Sequence, residues 1–152
     1  MQVGLLLWGC SFTGLASNIK NIAKFQAVSL VPGRGDALSE ARKIDEALAL
    51  TDDFVTSTFK SVSKIAHAGG DLKEAMSSCR DQCDEKFSDY AIYEHCLPFN
   101  VSRAFDEAKG IDNPRIWTAD RDKEMWDLLQ KIEKQIFQKI MTIENSPTKH
   151  LR

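Results

Sequence analysis

Apolar residues recur every three or four positions along most of this 152-residue chain, which is the spacing of amphipathic helices. The pattern predicts five or six helices, and the loop at Asn113-Pro114 separates the last of them from the rest. We place them over Gly14–Lys24, from Asp36 to Gly69-Gly70, from Asp71 through Cys83, within Tyr90–Leu97, over Val101–Lys109 and after Thr118.

Two short apolar runs lack helical spacing and predict strands, at Val3–Trp8 and at Ala27–Val31. The expected fold class is therefore a helix-rich α/β protein with two short strands. An isolated pair of strands is marginal in water. Either the chain is a helical bundle with a β-ribbon, or its strands belong to a larger sheet that is not all present.

Local signals indicate where the helices begin and end. Asp36 is expected to be the N-cap of the long helix, and Thr118 the N-cap of the last helix. Asp71 with Glu74 three residues later predicts a capping box. Pro98 is expected to interrupt an apolar helical segment, and Asn100 to cap the helix that follows.

The order of elements predicts one domain over residues 1–145. Its expected parts are a strand-helix-strand-turn region at 1–36, a helical region at 37–118 and a long C-terminal helix at 119–145, followed by a frayed tail at 146–152.

Composition narrows the class of protein. Hydrophobic residues make up 43% and charged residues 28% of the chain, and the net charge is −2. The negative net charge argues against a nucleic-acid partner, because proteins that bind nucleic acids present a basic face. No apolar run approaches the ~18 residues that predict a membrane span. The chain has enough apolar residues to form a core without disulfides, so its cysteines are predicted to be free thiols in a cytoplasmic protein. The four cysteines are Cys10, Cys79, Cys83 and Cys96.

Three segments carry a resemblance to a known family. Val31-Pro32-Gly33-Arg34-Gly35 resembles the Val-Pro-Gly-His-Gly motif of metallo-β-lactamase-fold hydrolases. Tyr93–Phe105 is similar to the helical C-terminal region of a bacterial subgroup of these enzymes, and Asn113–Ala119 to its closing loop. The resemblance implies the C-terminal part of an αββα sandwich, in which residues 1–36 are a remnant of the sheet.

The resemblance also implies a chemistry that this chain departs from. Family members use zinc or another divalent metal to hold a hydroxide that attacks an ester, thioester, lactam or lactone. Arg34 stands where the family motif has a histidine that binds the metal. Cys10 stands where a strand of the family ends in an aspartate that binds the metal. The signature His-x-His-x-Asp-His is absent, because the only histidines are His67, His95 and His150.

We therefore expect a truncated hydrolase-like protein that lacks the metal-binding half and is inactive alone. No cofactor is expected in this chain, and a small-molecule substrate only if the missing half is supplied. The catalytic residues are unknown.

Two other binding sites are conceivable from the residues. Gly33, Arg34 and Gly35 before a helix could hold an anion, although a structural turn is the commoner reason for two glycines. The other is a zinc site, for which the pattern supplies three sulfurs and one nitrogen, from Cys79, Cys83, Cys96 and His95. Cys-x3-Cys on a helix is not the usual Cys-x2-Cys knuckle, so the favoured interpretation is no metal.

Two alternative functions come from other classes. The first is a non-catalytic helical interaction module that self-associates. The expected homodimer would bury either the Ile136–Ile143 face of the last helix or the strand edges. The other is a free-standing enzyme that uses Cys10 or Arg34, which the sequence favours least.

Overall fold

The computed structural model describes residues 10–33, 35–113, 115 and 117–144, and on the last helix it describes only some side chains. It contains five α-helices within these ranges. They are α1 Phe12–Ala23, α2 Ala41–His67, α3 Leu72–Phe87, α4 Tyr93–Ala108 and α5 Ala119–Glu144. Backbone contacts divide the chain into two compact units, Met1–Ile116 and Trp117–Arg152.

The first unit is built around α2, which packs against α1, α3 and α4, while α3 also packs against α4. Each helix turns its apolar stripe toward this shared interior. The buried apolar side chains that α2, α3 and α4 contribute include Phe54, Val55, Val62, Met76, Cys79, Cys83, Phe87, Tyr93, Leu97 and Val101.

The second unit contains α5. Thr118 caps the start of this helix, because its hydroxyl oxygen accepts a hydrogen bond from the Arg121 amide at 3.2 Å. The predicted cap of the last helix is thereby confirmed.

The predicted α/β fold class, with its αββα sandwich, is wrong. The described residues contain no strand, only an isolated antiparallel bridge between Leu30 and Leu38. Val28 and Val31, which lie in the predicted second strand, are 81% and 78% exposed. β-Propensity reports how well a side chain packs on a sheet, and here no sheet covers these residues. The other predicted strand, Val3–Trp8, lies outside the described residues.

The long helix begins later than predicted. Asp36 is not its N-cap, because α2 starts at Ala41 after Glu40. The bridge holds Leu38 in extended backbone through two hydrogen bonds of 2.8 Å to Leu30, and a helix cannot include a residue held in that way. The predicted end is confirmed, since α2 finishes at His67 and Gly69 follows with a φ of +82°.

Pro98 does not interrupt its helix, and the predicted cap at Asn100 is wrong. Helix α4 runs unbroken from Tyr93 to Ala108 with Pro98 inside it. A proline within a helix loses one backbone hydrogen bond and costs ~3 kcal/mol. Pro98 is buried, as are Leu97 and Val101 beside it, so packing of this turn against the other helices offsets that cost.

The predicted capping box at the start of α3 is confirmed. Asp71 Oδ1 accepts a hydrogen bond from the Glu74 amide at 2.8 Å, and Glu74 Oε2 accepts one from the Asp71 amide at 2.9 Å. Helix α3 then continues past both predicted cysteines to Phe87.

Replacing Asp71 with alanine is expected to lower the free energy of unfolding by ~1 kcal/mol, because the Glu74 amide in the first turn of α3 loses the carboxylate that accepts its hydrogen bond. Urea unfolding followed by circular dichroism measures the change. Asp81→Ala is the matched control, since Asp81 is exposed in the middle of the same helix. Equal losses from the two substitutions would contradict the cap.

In the part of the chain that the structure describes, no helix combines the length and the apolar character needed to cross a membrane.

Candidate functional site

The most unusual surface feature of the described chain is an exposed apolar stretch between α1 and α2, at Phe25–Val31, which we call the apolar loop. Phe25 is 79% exposed, Val28 81% and Val31 78%. The next most exposed large apolar side chain described is Phe137 on α5, at 64%. Single exposed apolar residues are common, and three of them within seven residues make the apolar loop the candidate interaction surface.

The apolar loop is positioned by structure at both of its ends. Two backbone hydrogen bonds follow the end of α1. The Phe25 amide donates to the Ile22 carbonyl at 3.0 Å, and the Gln26 amide donates to the Ala23 carbonyl at 3.3 Å. Gln26 has a φ of +48°, a left-handed conformation that redirects the chain away from the helix. The bridge between Leu30 and Leu38 then closes the loop at its far side.

The predicted anion site lies beyond this loop. Gly33 and Gly35 are both exposed, and Gly35 has a φ of +94° that favours glycine. Arg34 lies outside the described residues. Because α2 begins at Ala41, the free amides of its first turn belong to residues from Ala41 onward and not to Gly35. The argument that a helix N-terminus contributes to anion binding here is therefore wrong.

Cys10, at the other predicted family ligand position, lies just before α1 and is half-buried. Burial raises the pKa of its thiol, an effect that the nearby Arg103 guanidinium opposes. A raised pKa leaves less of the reactive thiolate at neutral pH. This weakens the interpretation of Cys10 as a nucleophile.

The four candidate zinc ligands are not brought together. Cys79, Cys83 and Cys96 are buried, whereas His95 is exposed and its ring lies 5.6 Å from that of Phe99. Within the described residues, no group of three or more histidine, cysteine, aspartate or glutamate side chains is arranged to hold a metal ion. The expectation that the chain carries no cofactor stays a prediction.

Cys79 and Cys83 form a buried thiol pair on α3. The two sulfurs are 4.0 Å apart, and Cys83 Sγ is 3.9 Å from Thr58 Oγ1 on α2. The hydrogen bond from Cys79 lowers the pKa of Cys83, and the same bond together with burial raises the pKa of Cys79. Both thiols are fully buried, so the pair fills the interface between α2 and α3.

A polar cluster that the sequence did not reveal joins α4 to the start of α1. The Glu107 carboxylate accepts hydrogen bonds from the amides of Phe12 at 2.7 Å and Thr13 at 3.1 Å. It also accepts from the hydroxyls of Thr13 at 2.7 Å and Ser11 at 3.0 Å. A carboxylate at a helix N-terminus satisfies free amides and suits the helix dipole. Glu107 therefore caps α1 from a distant part of the chain.

Arg103 stands beside Glu107 and is 3% exposed. Its guanidinium donates to three backbone carbonyls, of Cys10 at 2.8 Å, Ile111 at 2.9 Å and Asp112 at 3.0 Å. The guanidinium also lies 3.5 Å from the Glu107 carboxylate. We call Arg103 and Glu107 the α4 clamp, because they fasten the segment before α1 and the loop after α4 to one helix.

The charge of Glu107 is stabilised by this surrounding. Burial alone would raise the pKa of its carboxyl, but the hydrogen bonds from Thr13, Phe12 and Ser11 outweigh burial and lower it. A carboxyl whose pKa is lower in the folded state contributes stability above its unfolded pKa, and that contribution is lost as the pH falls through the folded pKa.

We therefore expect the stability difference between the wild-type chain and Glu107→Gln to be largest at neutral pH and to shrink below about pH 4.5. Urea unfolding at a series of pH values between about 7 and 3 measures the difference. Glu85→Gln, at an exposed position on α3, is the control. A gap for Glu107→Gln that stays constant with pH would contradict the assigned role of the charge.

No protein-family model matches this sequence, and no curated protein matches it. The resemblance to metallo-β-lactamase-fold hydrolases therefore stays a prediction from short motifs. Of the two positions that it marked, Cys10 lies just before α1, and Arg34 lies outside the described residues. Arg103 lies in the Tyr93–Phe105 segment that carried the resemblance, and Glu107 follows that segment. Only the Arg-x-x-x-Glu spacing of the two residues on one helix face could have suggested the α4 clamp.

Proposed function

We propose that this chain is a non-catalytic helical interaction module that binds a second copy of itself through the apolar loop. The observation that carries the proposal is the exposure of Phe25, Val28 and Val31, each close to four fifths. Burying one such side chain contributes ~1.5–3 kcal/mol. Three together supply a substantial share of the free energy that a homodimer requires after the cost of association.

The helical fold also favours this proposal over hydrolysis. A metal-dependent hydrolase of the family resembled here would need the ligands that its sheet presents, and the described residues form no sheet. The buried polar clusters instead connect helices to one another, as at the α4 clamp. Free cysteines at all four positions support a cytoplasmic location as part of the same proposal.

The other predicted interface, the Ile136–Ile143 face of α5, supports the proposal less strongly. Phe137 and Met141 are 64% and 42% exposed, but the side chains of Ile136 and Ile140 lie outside those that the structure describes. The apolar loop has greater exposure, and its side chains are all described.

The experiment compares the dimer dissociation constant of the wild-type chain with that of Val28→Asp/Val31→Asp, measured by analytical ultracentrifugation. We expect the variant to dissociate at least ~100-fold more readily, because two carboxylates would have to be desolvated in the interface. Both sites are exposed in the single chain, so circular dichroism should show unchanged helix content.

The control adds the same two charges elsewhere, as Thr56→Glu/Gln82→Glu at exposed positions on α2 and α3. It should dimerise as the wild type does. If Val28→Asp/Val31→Asp dimerises unchanged while Phe137→Asp becomes monomeric, the interface lies on α5 and the role of the apolar loop is wrong.

A further inference from the structure

Helix α1 is attached to the first unit by fewer contacts than the other three helices are. It packs against α2, whereas α2, α3 and α4 each pack against the other two. Two of its twelve residues are buried, Phe12 and Ile19, while ten of the sixteen residues of α4 are buried. Residues 20–26, at the end of α1 and after it, are all exposed. The attachment of α1 is therefore concentrated between Phe12 and Ile19.

Two interactions fasten the start of α1. The Phe12 ring stacks on that of Phe59 of α2, with the ring centres 5.9 Å apart. The Glu107 carboxylate of α4 accepts hydrogen bonds from the amides of Phe12 and Thr13, at 2.7 and 3.1 Å. The first turn of α1 contains no acidic residue of its own, so Glu107 supplies the negative charge that suits the N-terminus of a helix. Hydrogen bonds to a charged group are stronger than neutral ones.

The remaining helices of the unit have a core that does not depend on α1. The Phe54 ring of α2 contacts the rings of Phe87 on α3 and Tyr93 on α4, with ring centres 5.1 and 6.4 Å apart. Helix α1 has twelve residues, and isolated helices shorter than ~12–15 residues are marginal in water. Release of α1 from α2 therefore unfolds α1 itself and leaves the core of α2, α3 and α4 in place.

We infer that α1 opens as a separate local unit while α2, α3 and α4 stay folded, and that Glu107 sets how often it opens. Elements with few buried contacts are the ones that open locally in folded proteins. Opening separates Phe12 from Phe59 and so uncovers apolar surface on α2 that the closed chain covers. This conformational device is independent of the self-association proposed above, because it requires one chain only.

Hydrogen exchange of individual amides, followed by NMR at several low concentrations of urea, tests the separate opening. The amides of α1 should exchange at least ~100-fold faster than the slowest amides of α2, α3 and α4. Their rates should rise little with urea, because local opening exposes little surface. Phe87→Leu should accelerate the slowest core amides and leave those of α1 unchanged, because the contacts of Phe87 persist when α1 opens. Equal rates and equal urea dependence for α1 and the core would overturn the inference.

Glu107→Gln tests the role of the carboxylate in the same measurement. It replaces one accepting oxygen with an N–H group and removes the charge, so the amides of α1 should exchange about tenfold faster or more. Glu85→Gln, the exposed control on α3, should leave their exchange unchanged. Exchange of the α1 amides that is the same in Glu107→Gln as in the wild type would overturn the assignment of Glu107 as the group that holds α1 closed.

Discussion

Replacing Arg103 with alanine will lower the free energy of unfolding by about 3–5 kcal/mol, the range seen when one partner of a buried ion pair is removed. Three backbone carbonyls lose their donor, at distances of 2.8, 2.9 and 3.0 Å in the wild type. The Glu107 carboxylate also loses its neighbouring positive charge. Each hydrogen bond from a charged donor contributes ~1.5–3 kcal/mol, so the loss exceeds that of a surface ion pair.

Urea unfolding monitored by circular dichroism measures this loss, with two further variants as controls. Arg42→Ala breaks the exposed pair of Arg42 with Glu46, whose side chains are 72% and 60% exposed, and should change stability by less than ~0.5 kcal/mol. Arg103→Lys keeps the charge but cannot reach three separate carbonyls and should recover little of the loss. Equal stabilities of Arg103→Ala and Arg42→Ala would show that the α4 clamp is dispensable.

Phe87→Ala is expected to destabilise the chain by a similar amount, about 3–5 kcal/mol. Phe87 at the end of α3 is fully buried. Its ring makes edge-on contacts with Phe54 of α2 at 5.1 Å and with Tyr90 at 5.4 Å between ring centres. Removing the ring leaves a cavity in the interface between α2 and α3 and abolishes both aromatic contacts.

Thermal and urea unfolding of Phe87→Leu provide the matched comparison, because leucine keeps much of the volume and should lose less than half as much stability. Phe137→Ala removes an exposed ring and should have little effect. If Phe87→Ala unfolds at the same urea concentration as Phe137→Ala, the core assigned to the first unit is wrong.

Local signals predicted those parts of the fold that depend on a few neighbouring residues. The Asp71–Glu74 capping box, the end of α2 before Gly69 and the cap at Thr118 are all present. Each involves hydrogen bonds or dihedral angles within one turn of chain, so the sequence contains the whole interaction.

Predictions failed where tertiary structure decides. Pro98 is tolerated inside α4 because its neighbours are buried, and the backbone at Ala27–Val31 is not a strand because no sheet lies beside it. Helix and strand propensities are weak preferences that packing overrides in either direction.

The candidate site was only partly accessible to sequence reasoning for the same reason. Ser11 and Glu107 are 96 positions apart in the chain, and no local pattern predicts that they meet. The sequence shows Ala27–Val31 as an apolar run and predicts the strand edges as one of two interfaces. Its exposure could be learned only from the structure, which shows that α2 and the other helices form their core without it.

The mass of the wild-type chain in solution tests the central claim most directly. Sedimentation equilibrium over a wide range of concentration should fit a monomer–dimer equilibrium, with the dimer predominant at the highest concentrations. A well-folded chain that keeps the mass of one monomer throughout that range would contradict self-association through the apolar loop.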